Sequence, residues 1–217
     1  MTQPSGPRWQ GGQRRIGLTG GIASGKSTVG RWLAEQGLPL LDADVYAREA
    51  LAPGSPGAQA VLQRYGAAVQ AAGSRREDAV LDRAALGRIV FHNPGERQWL
   101  ERLVHPLVRS RFEAELQHRK SADAVVLIIP LLFEAGLESL CSEIWLVDCE
   151  PTAQLERLME RDQLPPADAR ARLAAQWPLE RKRGLADVLI DNRGTTDALA
   201  VQLQRALAGG LSPSTSG

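Results

Sequence analysis

Residues 17–28 read GLTGGIASGKST, and this glycine-rich stretch decides the fold of the chain. Gly20 to Ser27 fit the pattern G-x-x-x-x-G-K-[ST]. The apolar segment RRIGLTG (14–20) precedes the pattern and is typical of a short buried strand. The segment KSTVGRWLAEQG (26–37) follows with the apolar spacing of a helix. A strand, a glycine-rich turn and a helix in this order predict a phosphate-binding loop, or P-loop.

The residues of this loop have roles that follow from their type. Gly20 and Gly25 let the backbone wrap around a phosphate so that main-chain N–H groups point inward. The helix that starts near Lys26 directs the positive end of its dipole at the same place. Lys26 reaches the β- and γ-phosphates of a nucleoside triphosphate, and the Ser27 hydroxyl is placed to ligate Mg²⁺. The pattern predicts triphosphate binding, but it is silent on where the γ-phosphoryl group goes.

The rest of the chain alternates between strand and helix patterns. After the first helix come the strand LPLLDAD (38–44) and a long helical stretch at about 57–120. Two strands follow, ADAVVLIIPLLFE (122–134) and EIWLVD (143–148), and then the helix PTAQLERLMERD (151–162) and an arginine-rich helical segment at about 164–186. The last two elements are the strand DVLIDN (187–192) and the helix TTDALAVQLQRALA (195–208). This alternation predicts an α/β fold in three layers, a P-loop NTPase core whose parallel sheet is covered by helices on both faces.

Two carboxylates follow the second predicted strand. Asp42 and Asp44 stand at its carboxyl end, and ligands of parallel α/β sheets lie beyond such ends. A carboxylate at this place can orient and deprotonate an acceptor hydroxyl, or hold a water of the Mg²⁺ shell. The alternative is structural, because Asp44 precedes VYAREAL and is a good residue type for a helix N-cap.

Arginines and one histidine are the remaining candidates. Arg161 ends the helix pattern LERLMERD, and Arg181 and Arg183 follow in an arginine-rich segment. Phosphoryl transfer needs cations over the migrating group, and a mobile segment of this kind can supply them as a lid. A solvated helix face with Glu–Arg pairs is the alternative. His105 lies in an apolar helical stretch, where a histidine is more often a structural hydrogen-bonding group than a substrate contact.

Composition narrows the class of partner and the compartment. Lys and Arg number 26 against 25 Asp and Glu, a net charge of +1 that argues against nucleic acid as the main partner. Cys141 and Cys149 match no zinc spacing, so we expect reduced thiols in a cytoplasmic protein. No apolar run approaches the ~20 residues that span a bilayer, so no membrane partner is expected. Residues 1–13 and 209–217 read as a disordered leader and tail.

Two other classes of P-loop protein fit poorly. A GTPase should carry an Asn-Lys-x-Asp base-reading motif, which the chain lacks. A motor-type ATPase usually has a strand that ends in Asp-Glu, whereas the main strand here continues into PLLFE. A small-molecule kinase remains, and the residues alone leave its acceptor open among nucleosides, nucleotides and other small alcohols. A nucleotide-dependent switch or binding module is the non-enzymatic alternative.

Seven segments, in one order, resemble the dephospho-CoA kinases. They are LTGGIASGKSTV (18–29), DADVYAR (42–48), HPLVR (105–109), PLLFE (130–134), WLVDC (145–149), QLERLMERD (154–162) and ADVLIDNRG (186–194). The resemblance implies transfer of the γ-phosphoryl group of ATP to the ribose 3′-hydroxyl of dephospho-CoA, with Mg²⁺. It also implies a kinase domain over 14–208 with a helical substrate-binding insert at about 48–120 and a lid at about 160–180.

The same resemblance assigns roles to single residues. Asp44 is implied as the base, with Lys26 and Arg161 beside it in catalysis. The ATP phosphates are implied to contact the segment that includes Ala23, Ser24, Gly25, Ser27 and Thr28, with Asn192 near the adenine. The acceptor side is implied to comprise Thr19, Asp42, Arg48, His105, Pro130, Leu131 and Glu134. We expect a monomer or a weak homo-oligomer.

Overall fold

A computed structural model describes residues 7–73 and 80–209 of the chain. Five strands lie in these residues: β1 (Arg14–Gly20), β2 (Leu40–Asp42), β3 (Ala124–Ile128), β4 (Glu143–Asp148) and β5 (Val188–Asp191). The helices are α1 (Lys26–Glu35), α2 (Ala43–Ala50), α3 (Pro56–Tyr65), α4 (Arg83–His92), α5 (Pro94–His118), α6 (Pro151–Asp162), α7 (Pro166–Ala174), α8 (Leu179–Arg183) and α9 (Thr196–Ala208). This is the order that the sequence predicts.

All five strands form one parallel sheet in the order β2-β3-β1-β4-β5. The predicted α/β fold is therefore confirmed. β1 lies in the middle, paired with β3 on one side and β4 on the other. Since the strands are parallel, their carboxyl ends meet at one edge, and the loop after β1 leaves from the centre of that edge. Open α/β sheets bind their ligands at such a position.

The sheet is held by a hydrophobic cluster between β1, α1 and α9. Ile16 and Leu18 of β1 are fully buried and belong to the same cluster as Val29 of α1 and Leu203 of α9. Gly17 faces the other side of β1, where a Cβ would lie 2.6 Å from Cys141 Sγ. Cys141 and Cys149 are both buried with free thiols, and burial raises the pKa of the Cys141 thiol to about 12.

The chain divides into two compact units. The first unit holds the described residues of 1–42 and 116–217, with the whole sheet, and the second is Ala43–Glu115. The bounds of the second unit lie a few residues before those expected for the helical insert, about 48–120. Its core includes Val61 and Leu86, and Tyr46 packs edge-to-face on Phe112 with ring centroids 4.9 Å apart.

The segment before β1 differs from the disordered leader expected over 1–13. The backbone N–H of Trp9 donates to Cys141 O at 3.1 Å, and Arg8 forms an ion pair with Asp187. Gln13 is buried and donates to Arg119 O at 2.7 Å. The prediction is wrong for these residues because their side chains find partners far along the chain, which composition does not reveal. Residues 1–6 of that leader, and 210–217 of the expected tail, lie outside the described residues.

We find no helix with both the length and the apolar character to cross a bilayer in the described parts of the chain.

A polar network joins α3 to the start of α5 in the second unit. Arg64 donates to both carboxylate oxygens of Glu96, at 2.8 and 3.0 Å, and the Tyr65 hydroxyl donates to Glu96 Oε2 at 2.5 Å. The Arg64 guanidinium also lies over the Trp99 ring, 4.6 Å from its centroid. Hydrogen bonds from Arg64, and then from Tyr65, lower the pKa of the Glu96 carboxyl to about 2.

We predict that this network makes the fold sensitive to acid. The folded pKa of Glu96 lies below the unfolded value near ~4.3, so its contribution is complete above ~pH 4.3 and is lost as the pH falls towards 2. Glu96→Gln should therefore flatten the fall in the free energy of unfolding between about pH 5 and about pH 2.5, measured by urea denaturation. Glu101→Gln, in a looser exposed pair on the same helix at 3.9 Å from Arg97, is the control. Equal slopes for Glu96→Gln and the unaltered chain would contradict the assignment.

Candidate active site

The P-loop runs from the end of β1 at Gly20 to the start of α1 at Lys26. A Cβ at Gly20 would lie 2.6 Å from Ser24 Oγ and 2.7 Å from Val147 O, so a side chain there would displace the loop or β4. Gly25 precedes α1 in the left-handed conformation, with a φ of 100°. Both glycines of the pattern therefore stand where the backbone path needs them.

Cationic and donor groups lie along this loop. Lys26 Nζ donates to Gly20 O at 2.9 Å and to Gly21 O at 2.7 Å, so the ammonium folds back across the loop. Ser27 and Thr28 are exposed in the first turn of α1. The first N–H groups of a helix have no partner inside it, and the helix dipole adds positive charge at the same end. The loop has the groups that an anion such as a phosphate needs.

Asn192 lies against the loop. Its Nδ2 donates to Ser24 O at 2.9 Å, and a Cβ at Gly25 would collide with the same amide. Asn192 follows β5, so this bond ties the far strand of the sheet to the loop. Ser24 Oγ is buried and makes no hydrogen bond to any described residue.

Two glutamines that the sequence analysis missed hold the middle of the loop. Gln154 Nε2 donates to Ile22 O at 2.6 Å, and the Ile22 N–H donates to Gln176 Oε1 at 2.8 Å. Gln154 lies on α6, and Gln176 follows α7. A single glutamine in a polar helix carries no sequence signal, so these contacts could not be found without the fold.

The predicted acceptor residues of the first unit lie in β1 near its end, at the end of β2 and after β3. Thr19 of β1 is fully buried and its hydroxyl donates to Pro130 O at 3.2 Å, so it supports the backbone at the start of PLLFE. Leu131 is half-buried beside Pro130. Asp42 is the last residue of β2 and is half-buried.

Glu134 takes part in a buried ion pair. Its Oε1 lies 2.7 Å from Nζ of Lys182, a side chain with no exposed surface, and accepts a hydrogen bond from the Trp177 N–H at 3.0 Å. The second oxygen, Oε2, is buried and accepts no hydrogen bond from the described residues. The pair joins the segment after β3 to the segment around α8.

The predicted lid arginines have different partners. Arg161 and Arg172 both pair with Asp162, with shortest distances of 2.7 Å. These interactions lower the pKa of the Asp162 carboxyl, and the hydrogen bond from Arg161 makes the largest contribution. Arg183 pairs with Asp148 at 2.9 Å, which favours the structural alternative for this arginine. Arg181 stacks on the Trp177 ring, 3.3 Å from its centroid.

The second unit holds Asp44, Arg48 and His105. Asp44 is exposed and is the second residue of α2. Arg48 is exposed on the same helix face, one turn later. Both line a cavity of about 500 Å³, together with Arg83 and an apolar wall that includes Leu51, Leu86 and Leu100. His105 is half-buried in α5, next to Pro106, and is not part of this lining.

The described side chains form no pre-formed metal centre. Among residues 7–73 and 80–209, no group of three or more His, Cys, Asp and Glu side chains could hold a metal ion. Mg²⁺ in phosphoryl-transfer sites is commonly bound by one or two protein groups together with water and the phosphates of the substrate. The exposed Ser27 hydroxyl at the start of α1 fits a site of that kind.

We predict that Lys182→Met is strongly destabilising. It leaves the largely buried Glu134 carboxylate without its counter-charge, which typically costs about 3 kcal/mol or more. The double variant Lys182→Met/Glu134→Gln removes both charges and should recover part of the loss. Urea denaturation measures both values. Arg193→Met, which removes exposed pairs with Asp191 at 2.7 Å and Glu150 at 3.1 Å, is the control and should lose much less. Equal losses for Lys182→Met and Arg193→Met would contradict the role of burial.

Comparison with known proteins identifies a family for this chain. The family model described as dephospho-CoA kinase matches residues 14–198. A dephospho-CoA kinase of Synechococcus sp. (strain CC9605) is 64% identical over 195 residues, which are 90% of this chain and 92% of that protein. The crystal structure of TT1252 from Thermus thermophilus matches with a TM-score of 0.78 at 36% identity, over 92% of this chain and 98% of that one. Dephospho-CoA kinase from Campylobacter jejuni matches with a TM-score of 0.64 at 26% identity, over 89% of this chain and 95% of that one.

Proposed function

The chain belongs to the dephospho-CoA kinase family, and we propose that it transfers the γ-phosphoryl group of ATP to the ribose 3′-hydroxyl of dephospho-CoA. The product is coenzyme A, and the reaction is the last step of its biosynthesis. The observation that carries the proposal is the match over residues 14–198, because this range includes the P-loop, Asp44 and the lid arginines. The enzyme is thus a phosphotransferase with an alcohol acceptor.

The P-loop is the proposed ATP site. The N–H groups from Ala23 to Thr28 would bind the phosphates, with Gly20 and Gly25 giving the backbone its path. Lys26 would turn its ammonium from the carbonyls of Gly20 and Gly21 to the β- and γ-phosphates, since both oxygen types accept the same donors. Asn192 lies against Ser24 and would stand at the nucleotide end of the loop.

Ser27 is the residue proposed to hold Mg²⁺, through its hydroxyl. When bound, the ion would neutralise charge on the β- and γ-phosphates. The protein supplies Ser27 at the start of α1 and Lys26 beside it, and both are consistent with a metal that depends on the nucleotide for most of its ligands.

The acceptor is proposed to bind Asp44 and Arg48. The cavity that they line combines two arginines with an apolar wall, and dephospho-CoA combines a diphosphate with a long, weakly polar arm. Asp44 is the proposed base: it takes the proton of the 3′-hydroxyl as the oxygen attacks the γ-phosphorus and ADP leaves. Thr19, Asp42, His105, Pro130, Leu131 and Glu134 remain predicted acceptor residues.

Arg161 is proposed to bind the phosphoryl group during transfer. In the structure its guanidinium pairs with Asp162, a partner that a phosphate can replace because both are anionic oxygen acceptors. The Asp162–Arg172 bond would then be left to anchor α7. The cytoplasmic location, the absence of a nucleic-acid partner and the monomer or weak homo-oligomer remain predictions from the sequence.

We predict that Asp44→Asn loses most of the turnover but keeps ATP binding. Removal of a general base typically lowers kcat by about 10²- to 10⁴-fold, whereas the ATP phosphates are assigned to other residues. Steady-state kinetics with dephospho-CoA and calorimetric titration with ATP measure the two effects. Glu49→Gln, on the same helix but paired with Arg111, is the control. An Asp44→Asn variant with full turnover would remove Asp44 as the base.

The acceptor is tested by a coupled assay of ADP release with purified protein, ATP and Mg²⁺. Dephospho-CoA, adenosine and AMP are offered separately and in competition. The proposal predicts ADP release with dephospho-CoA at a kcat/KM at least about a hundredfold above that for adenosine or AMP, because the diphosphate and arm add contacts. Preference for adenosine or AMP would instead identify a nucleoside or nucleotide kinase.

A further inference from the structure

We propose that Gln154 and Gln176 are positioning residues that clamp Ile22, in the middle of the P-loop, and thereby set the affinity of the loop for the ATP phosphates. The identity of the nucleotide rests on the proposed function, but the clamp itself rests on the contacts of these three residues. Neither glutamine belongs to the G-x-x-x-x-G-K-[ST] pattern, and each reaches the loop from a different side of the lid segment.

The first half of the clamp is the bond from Gln154 to Ile22 O, at 2.6 Å. Gln154 is only 6% exposed, so its amide has little access to water as an alternative partner. A Cβ on Gly21 would overlap this amide. Gly21 occupies a position where the P-loop pattern accepts any residue, and the approach of Gln154 explains why a glycine stands there.

The second half is the bond from the Ile22 N–H to Gln176 Oε1, at 2.8 Å. The backbone around Gln176 is itself anchored, because the next residue, Trp177, donates its N–H to Glu134 Oε1 at 3.0 Å. Glu134 is held in turn by the buried ammonium of Lys182. The backbone position of Gln176 is therefore fixed by the contacts of Trp177 with Glu134 and of Glu134 with Lys182.

The residue after Ile22 has a strained backbone conformation. Ala23 follows Ile22 and has a φ of 57°, a left-handed conformation that costs free energy in a residue with a Cβ. The Ile22 carbonyl belongs to the peptide group that sets this φ, so the bond from Gln154 opposes its relaxation. Together the two glutamines fix the peptide groups on both sides of Ile22, before the N–H groups proposed to bind phosphate.

The two glutamines also stand on either side of Arg161 and Arg172 in the sequence. Gln154 precedes Arg161 on α6, and Gln176 follows Arg172 after α7. The segment that carries both arginines therefore has a glutamine bonded to Ile22 at each of its ends. A loop held in its binding conformation loses less freedom when the ligand binds, which raises affinity. Without the clamp, ATP binding must order the loop as well.

The test measures the affinity for ATP by calorimetry, with no acceptor present. A negative result in the acceptor assay would therefore contradict the proposed function but not the clamp. Gln154→Met and Gln176→Met keep the length of the side chain but make no such bond. Each should weaken ATP binding about tenfold and raise the KM for ATP more than it lowers kcat. Gln36→Met, the same change at an exposed position after α1, should match the unaltered chain. Met variants that bind ATP as tightly as Gln36→Met would overturn the proposal.

The directions of the two bonds give a sharper test. Gln176→Glu keeps an acceptor for the Ile22 N–H, whereas Gln154→Glu offers no donor and sets a carboxylate against a carbonyl. Both add the same charge beside the same residue, so their repulsion of the triphosphate is shared, and Gln176→Glu should bind ATP more tightly than Gln154→Glu. Equal affinities of these two variants would overturn the clamp. If the Gln154 variants do not fold, Gln176→Met decides: ATP binding as tight as that of Gln36→Met would overturn the clamp.

Discussion

The loop after β1 leaves the centre of the sheet along a path that has almost no room for a side chain at Gly20, Gly21 or Gly25. The proposed nucleotide site depends on this constraint. A Cβ at Gly20 would press on Val147 O of β4, one at Gly21 on Gln154 of α6, and one at Gly25 on Asn192 after β5. Three elements thus contact the loop at its three glycines. The neighbouring residues determine the shape of the loop, and the glycines allow the backbone to adopt that shape because they have no Cβ.

The parts of the fold that the sequence predicts are those with local causes. β1 and β4 have the predicted bounds because each is a continuous apolar run in the buried part of a parallel sheet. α5 begins at Pro94, a residue type suited to the first turn of a helix, and the Thr195 hydroxyl caps α9 by accepting from the Ala198 N–H. The P-loop is a local pattern as well, so the start of α1 near Lys26 could be predicted before the fold was known.

The run Arg181-Lys182-Arg183 shows where prediction from sequence ends. In the sequence these are three adjacent cations, more typical of a solvated helix than of a lid. In the fold Arg181 stacks on Trp177, Lys182 is fully buried beside Glu134, and Arg183 pairs with Asp148. Their environments differ because Asp148 comes from β4 and Glu134 from the segment after β3, both far away in the chain, whereas Trp177 lies close to Arg181 in the chain. The contacts of Gln154 and Gln176 with Ile22 escaped prediction for the same reason.

The central claim is that the triphosphate held by this loop gives its last phosphoryl group to a ribose hydroxyl and not to water. Phosphorus NMR of a reaction with ATP, Mg²⁺ and dephospho-CoA tests it most directly. The account predicts that the γ-phosphate signal is replaced by that of a phosphate monoester coupled to the ribose 3′-proton, in step with the appearance of ADP. Loss of the γ-phosphate signal to inorganic phosphate alone, with dephospho-CoA unchanged, would contradict it.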